Sequence, residues 1–126
     1  MLANAEAVAT VSVKDLKAAA RFYEQVVGLT KVGGEGDMVA LYRAGHGELL
    51  VYQSQFAGTN QATSVTWTVP DVDQMTRELA GRGVRFEHYQ GLGKLEGDVH
   101  VQDGRRVAWF KDPDGNILSL FEGEMA

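Results

Sequence analysis

The chain contains no cysteine. Disulfides, thiolate metal sites and a cysteine nucleophile are excluded together. Histidine is also scarce: His46, His88 and His100 are the whole supply of imidazole. Positive charge falls short of negative, with 12 Lys and Arg against 17 Asp and Glu, a net charge of −5. Such a balance is a poor match for nucleic acid or an anionic membrane surface, and neither is expected as a partner. No apolar run approaches the roughly 20 residues of a membrane span. The opening stretch MLANAEAVATV has no basic segment followed by an apolar run, so no signal peptide and a cytoplasmic location are expected. What is present is ordinary for a soluble protein: 126 residues, 44% hydrophobic and 23% charged, the dimensions of a single domain over residues 1–126 with a sizeable core.

The order of elements repeats. Val11 and Val13 alternate with Thr10 and Ser12, a period of two that predicts a strand over residues 7–13. Asp15 is placed as an N-cap before a helical face of Leu16, Ala19, Phe22, Tyr23, Val26 and Val27, and Gly28 as its stop. A short strand at residues 29–32, a turn at Gly33-Gly34-Glu35-Gly36 and a hairpin over 38–53 follow. After a polar linker at 54–62 the pattern starts again. Val65, Trp67 and Val69 alternate with Ser64, Thr66 and Thr68; Asp71 or Asp73 caps a helix carrying Val72, Met75 and Leu79; residues 84–89 read as a strand, 90–105 as a long loop, and 106–121 as a closing hairpin. Two segments match each other, VSVKDLKAAARFYEQVVGL and VTWTVPDVDQMTRELAGRGV, and the hairpins align without a gap from Leu41–Val51 onto Trp109–Ser119. The predicted fold is α+β: two βαβββ units, about residues 5–55 and 62–123, forming a curved mixed sheet with a central trough and helices on the convex side.

The stretch WFKDPDGNILSLFE fixes a tight turn, because Pro113 presets φ and Gly115 can take φ > 0. Together with VKDLKAAARFYEQVVGL it resembles the vicinal oxygen chelate superfamily, which holds glyoxalase I, extradiol dioxygenases, fosfomycin-modifying enzymes and bleomycin-resistance proteins. The resemblance runs from about Val8 to Glu122. It implies a homodimer, and a divalent metal held in the trough by His, Glu or Gln from four strands. Carried onto this chain, those four places are Val8, five residues before Val13; Ser64, five before Val69; Ser119, four after Gly115; and Val51, the hairpin counterpart of Ser119. Valine has no donor, and a neutral serine hydroxyl replaces a carboxylate poorly. The expectation is therefore no metal and no other cofactor.

Strand parity predicts a trough lined by Thr10, Ser12, Leu41, Val51, Gln53, Ser64, Thr66, Trp109 and Ser119, with Val39, Leu49, Thr68, Val107 and Ile117 on the same side. Apolar surface mixed with small hydroxyls and one indole is the composition of a small-molecule pocket. Trp109 can stack on a planar ligand or fill core, whereas Trp67 falls on the helix-packing side. His46 reads as a solvated turn residue. His88 and His100, beside Glu87 and Asp98 on the long loop, are the candidate acid/base groups, or two ligands of a relocated metal. GGEG and GLGKLEG do not sit between strand and helix as phosphate-binding loops do. Two functions follow: a metal-independent small-molecule binding protein of the glyoxalase/bleomycin-resistance type, or a lyase, isomerase or dioxygenase-type enzyme with a non-standard or relocated site. Standard metal-dependent glyoxalase I or extradiol dioxygenase chemistry is not expected.

Overall fold

The structure, a computed structural model, describes residues 1–123. The first unit opens with β1 (Ala9–Val13), whose Val11 and Val13 are buried while Thr10 is exposed on the opposite face. Asp15 caps α1 (Leu16–Ala20) by accepting a hydrogen bond from the Lys17 N–H at 3.0 Å. The helix then widens into a π-helical turn over Arg21–Val26, closed by Val27 N–H to Phe22 O at 2.9 Å. The consecutive residues Phe22 and Tyr23 are both buried in this turn. Gly28 takes φ +83° at its end, where a side chain would be strained. β2 (Thr30–Glu35), β3 (Val39–Ala44) and β4 (Gly47–Gln53) complete a sheet of order β1-β4-β3-β2, with β1 and β4 parallel. Gly33 and Gly34 thus lie within β2, and the chain turns instead at Gly36–Met38.

The second unit repeats the plan. β5 (Thr63–Val69) leads to α2 (Val72–Ala80), capped by Asp71 through the Gln74 N–H at 3.1 Å. Strand β10 (Ile117–Glu122) pairs in parallel with β5 and antiparallel with β9 (Arg105–Lys111). The edge beyond β9 is where the chain departs from expectation. The strand expected over 84–89 shrinks to β6 (Phe86–Glu87), and the long loop expected over 90–105 contains a hairpin of β7 (Lys94–Glu96) and β8 (Val99–Gln102). Both β6 and β8 pair with β9, at Phe86↔Phe110 and His100↔Val107, and share the position that β2 holds in the first unit. Val99-His100-Val101 alternates as a strand should, but its short length and flanking glycines hid that signal.

The helix-side faces of both sheets contribute to one hydrophobic cluster. At its centre Phe110, fully buried, stacks on Trp67 at 6.2 Å and meets Phe86 at 5.6 Å and Phe22 at 6.3 Å. The second tie between units is the turn Asp112–Asn116. The buried Asp112 carboxylate accepts from Tyr23 O–H at 2.7 Å, Asp114 N–H at 2.9 Å, Asn116 N–H at 2.9 Å and the Asn116 amide at 2.7 Å. Asn116 Nδ2 also donates to Ser12 O at 2.8 Å, and Lys14 N–H to Asp114 at 3.2 Å. Burial, followed by the Asp112 charge, pushes the Tyr23 phenol far above its ordinary value, so it remains a donor. Gly58 completes the seam: its φ is +72°, and a Cβ there would run into the Asp114 carbonyl oxygen. Among the described residues, no helix is long and apolar enough to cross a membrane.

Candidate functional site

The open face of the second sheet is set by register. Ser119 lies opposite Thr66 on one side and Trp109 on the other, so all three side chains leave the sheet on the same face. Ser119 is buried, and its hydroxyl is 2.7 Å from that of Thr66. Trp109 donates its indole N–H to Thr63 Oγ1 at 3.1 Å, which fixes the ring across the face. Ser64 falls at the register shift between Ile117 and Leu118, unpaired in the ladder, and accepts from the Asn60 amide at 3.2 Å. The structure therefore brings Thr66, Trp109 and Ser119 together and leaves Ser64 at the register shift, bonded to Asn60.

It adds two residues that the sequence reading did not place in the pocket face. His100 on β8 is opposite Val107, hence on this same face, and is only 2% exposed. Its ring lies 4.9 Å from the Trp109 ring at 81°, and Tyr89 lies 5.5 Å from Trp109. The expectation of His100 on a loop is thus corrected: the strand β8 draws it in, and the Tyr89 N–H donates to its Nε2 at 2.9 Å. Burial, followed by the Glu87 charge, raises the Tyr89 phenol above its ordinary value, with Lys111 opposing, so Tyr89 stays a neutral O–H. Trp109 separates two clefts of about 370 Å³ and 190 Å³, and Leu92 borders both. His88 stays near solvent, with Nε2 2.9 Å from Asp98 Oδ1.

On the first sheet, Thr10, Ser12 and Leu41 occupy the open face as parity predicts. Strand β4 does not. Val51 pairs with Val11 and Ala40, and Leu49 with Tyr42, all buried on the helix side. Gln53 shares their parity, and Leu50 and Tyr52 face outward instead. The cause is turn length. Trp109 and Ser119 are partners across one hairpin, and Leu41 and Leu50 across the other, so the first is one residue longer. An ungapped alignment slips at the turn and reverses every side chain after it. The first-unit counterpart of Ser119 is Leu50, paired with Thr10 as Ser119 is paired with Thr66.

The metal that the fold resemblance implies does not fit these positions. Corrected for register they are Val8, Leu50, Ser64 and Ser119: two aliphatic side chains and two neutral hydroxyls, one already bonded to Thr66. Nor do the histidines rebuild a site. The His88 and His100 rings are 6.4 Å apart, with one Nε2 on Asp98 and the other accepting a backbone N–H. Among the described residues, no three His, Asp or Glu side chains gather as a metal-ligand group.

Comparisons with known proteins agree with this architecture. No curated protein sequence matches the chain. Among solved structures, lactoylglutathione lyase from Agrobacterium tumefaciens superposes with a TM-score of 0.73 at 21% identity, covering 95% of this chain and 94% of that one. The fosfomycin resistance protein FosX from Listeria monocytogenes gives a TM-score of 0.73 at 15% identity, covering 97% and 95%. TnmS3, an antibiotic binding protein from Streptomyces sp. CB03234, gives 0.65 at 22% identity, covering 96% and 98%. At these identities the likeness establishes the fold. The family model of the Glyoxalase/Bleomycin resistance protein/Dioxygenase superfamily matches residues 7–120, nearly the whole chain, and the protein belongs to that superfamily.

Proposed function

We propose that this chain is a metal-independent small-molecule binding protein, working as a cytoplasmic homodimer, with the ligand held against the open face of the second sheet. The observation that carries the reading is the Ser119–Thr66 pair. At the strand centre, where a metal-binding relative would place a carboxylate, one of these neutral hydroxyls donates to the other at 2.7 Å. Around them lie the features of a binding face: a fixed indole, apolar Val107 and Ile117, and two clefts that open on either side of Trp109. TnmS3, similar in fold, is an antibiotic binding protein, which supports binding without turnover as a use of this architecture. Dimerisation is supported by the apolar surface left outward, including Val8, Tyr52 and Leu95, each about two-fifths exposed.

The test is a thermal-shift screen of planar aromatic compounds, run in parallel with a strong chelator and with added Ni²⁺, Zn²⁺ or Mn²⁺. Stabilising compounds are expected to act equally in all arms, because binding to the native state alone raises the melting temperature. Stabilisation that disappears in chelator and returns with one metal would overturn the reading.

A further inference from the structure

Among the described residues, only two buried side-chain polar atoms lack a hydrogen-bond partner: His100 Nδ1 and Tyr89 Oη. They belong to neighbouring rings 6.0 Å apart, beside Trp109. Buried polar groups are nearly always paired, so two orphans in one cluster call for an explanation. The tautomer sharpens it. His100 Nε2 accepts the Tyr89 N–H at 2.9 Å and so carries no proton in the neutral ring, which places the hydrogen on Nδ1. Nδ1 is therefore an obligatory donor, the Tyr89 O–H can donate beside it, and neither has an acceptor. His100 lines the smaller cleft and Tyr89 the larger, and Leu92 lines both. Leu92 is 40% exposed. It stands between Gly91 at φ +82° and Gly93 at φ +83°, a conformation open to glycine. Arg105 borders the smaller cleft and adds positive charge.

We propose that His100, Tyr89 and Trp109 form a recognition subsite for a planar ligand bearing an acceptor oxygen, a carbonyl or a carboxylate. The oxygen receives the Nδ1–H of His100 and the O–H of Tyr89 while the ring lies against Trp109. Leu92 is the plug: its displacement joins the two clefts and uncovers both donors. The inference rests on the metal-independent binding reading and assigns the ligand chemistry that reading leaves open. The mild negative charge of the whole chain would favour a cationic ligand, but the local donors select the opposite.

The test uses three probes of one shape: 2-acetylnaphthalene, 2-naphthoate and 2-(aminomethyl)naphthalene, titrated in chelator and read by tryptophan fluorescence. The first two are expected to bind and the cationic amine to bind at least about tenfold more weakly, since the buried Nδ1–H donor cannot pair with an ammonium and is left unsatisfied. Tyr89→Phe removes only an unpartnered hydroxyl, so it should fold as stably as the parent and lose about tenfold affinity for the two oxygen-bearing probes. Leu92→Ala is expected to bind them faster. Nitrogen-15 NMR of the parent protein, independent of any variant, should show His100 protonated on Nδ1, with that proton shifting when acetylnaphthalene is added. Unchanged affinity in Tyr89→Phe, preference for the amine, no binding of any probe, or a proton on Nε2 would each overturn the subsite. Binding of the oxygen-bearing probes only with added metal would instead overturn the metal-independent reading.

Discussion

Asp112→Ala lowers folding stability by about 3–5 kcal/mol, measured by urea denaturation. The buried carboxylate is the acceptor for four donors: Tyr23 O–H, the Asp114 and Asn116 backbone N–H groups and the Asn116 side chain. Alanine leaves these donors without their acceptor, and each unsatisfied buried donor costs on the order of 1–3 kcal/mol. The loss falls on the join between the two units, because Tyr23 belongs to the first and Asn116 reaches Ser12 there at 2.8 Å. Asp112→Asn keeps one oxygen and the shape, so its cost should be about 1–2 kcal/mol. A loss below about 1 kcal/mol for alanine would mean that the turn does not hold the units together.

Phe110→Ala has a comparable effect for a different reason. The ring is fully buried and is the common neighbour of Phe22, Trp67 and Phe86. Truncation removes its transfer free energy and leaves a cavity walled by rigid aromatic rings that cannot collapse into it, an expected cost of about 3–5 kcal/mol. Phe110→Leu refills most of that volume and should cost about 1–2 kcal/mol. Equal costs for the two variants in urea denaturation would contradict the cavity argument.

These two residues also show how much of the molecule was legible before the fold was known. Asp112 belongs to the DPDG signal, whose turn chemistry is local and can be read from residue types alone. Phe110 follows from strand parity once that hairpin is anchored, as does the placement of Ser119 opposite Thr66. Val51 marks the limit. Its face depends on a one-residue difference in turn length between the repeats, and a period-two pattern converts that small error into a full reversal of sides. The buried valine and the outward Tyr52 are also both good strand formers, so composition offered no correction. His100 was hidden differently. Its strand is four residues long, and what buries it is pairing with β9, a tertiary fact. Its orphaned Nδ1 depends on where a neighbouring backbone N–H points, which no residue pattern encodes.

The central claim is that a fold shared with lactoylglutathione lyase and FosX is used here without a bound metal. The most direct measurement is equilibrium dialysis of the purified protein against Ni²⁺, Zn²⁺, Mn²⁺ and Fe²⁺ in turn, with retained metal quantified per chain by inductively coupled plasma mass spectrometry. Val8, Leu50, Ser64 and Ser119 together offer no carboxylate or imidazole, so retention far below one ion per chain is predicted for every metal, with no change in melting temperature. Retention near one ion per chain with a raised melting temperature would contradict the account.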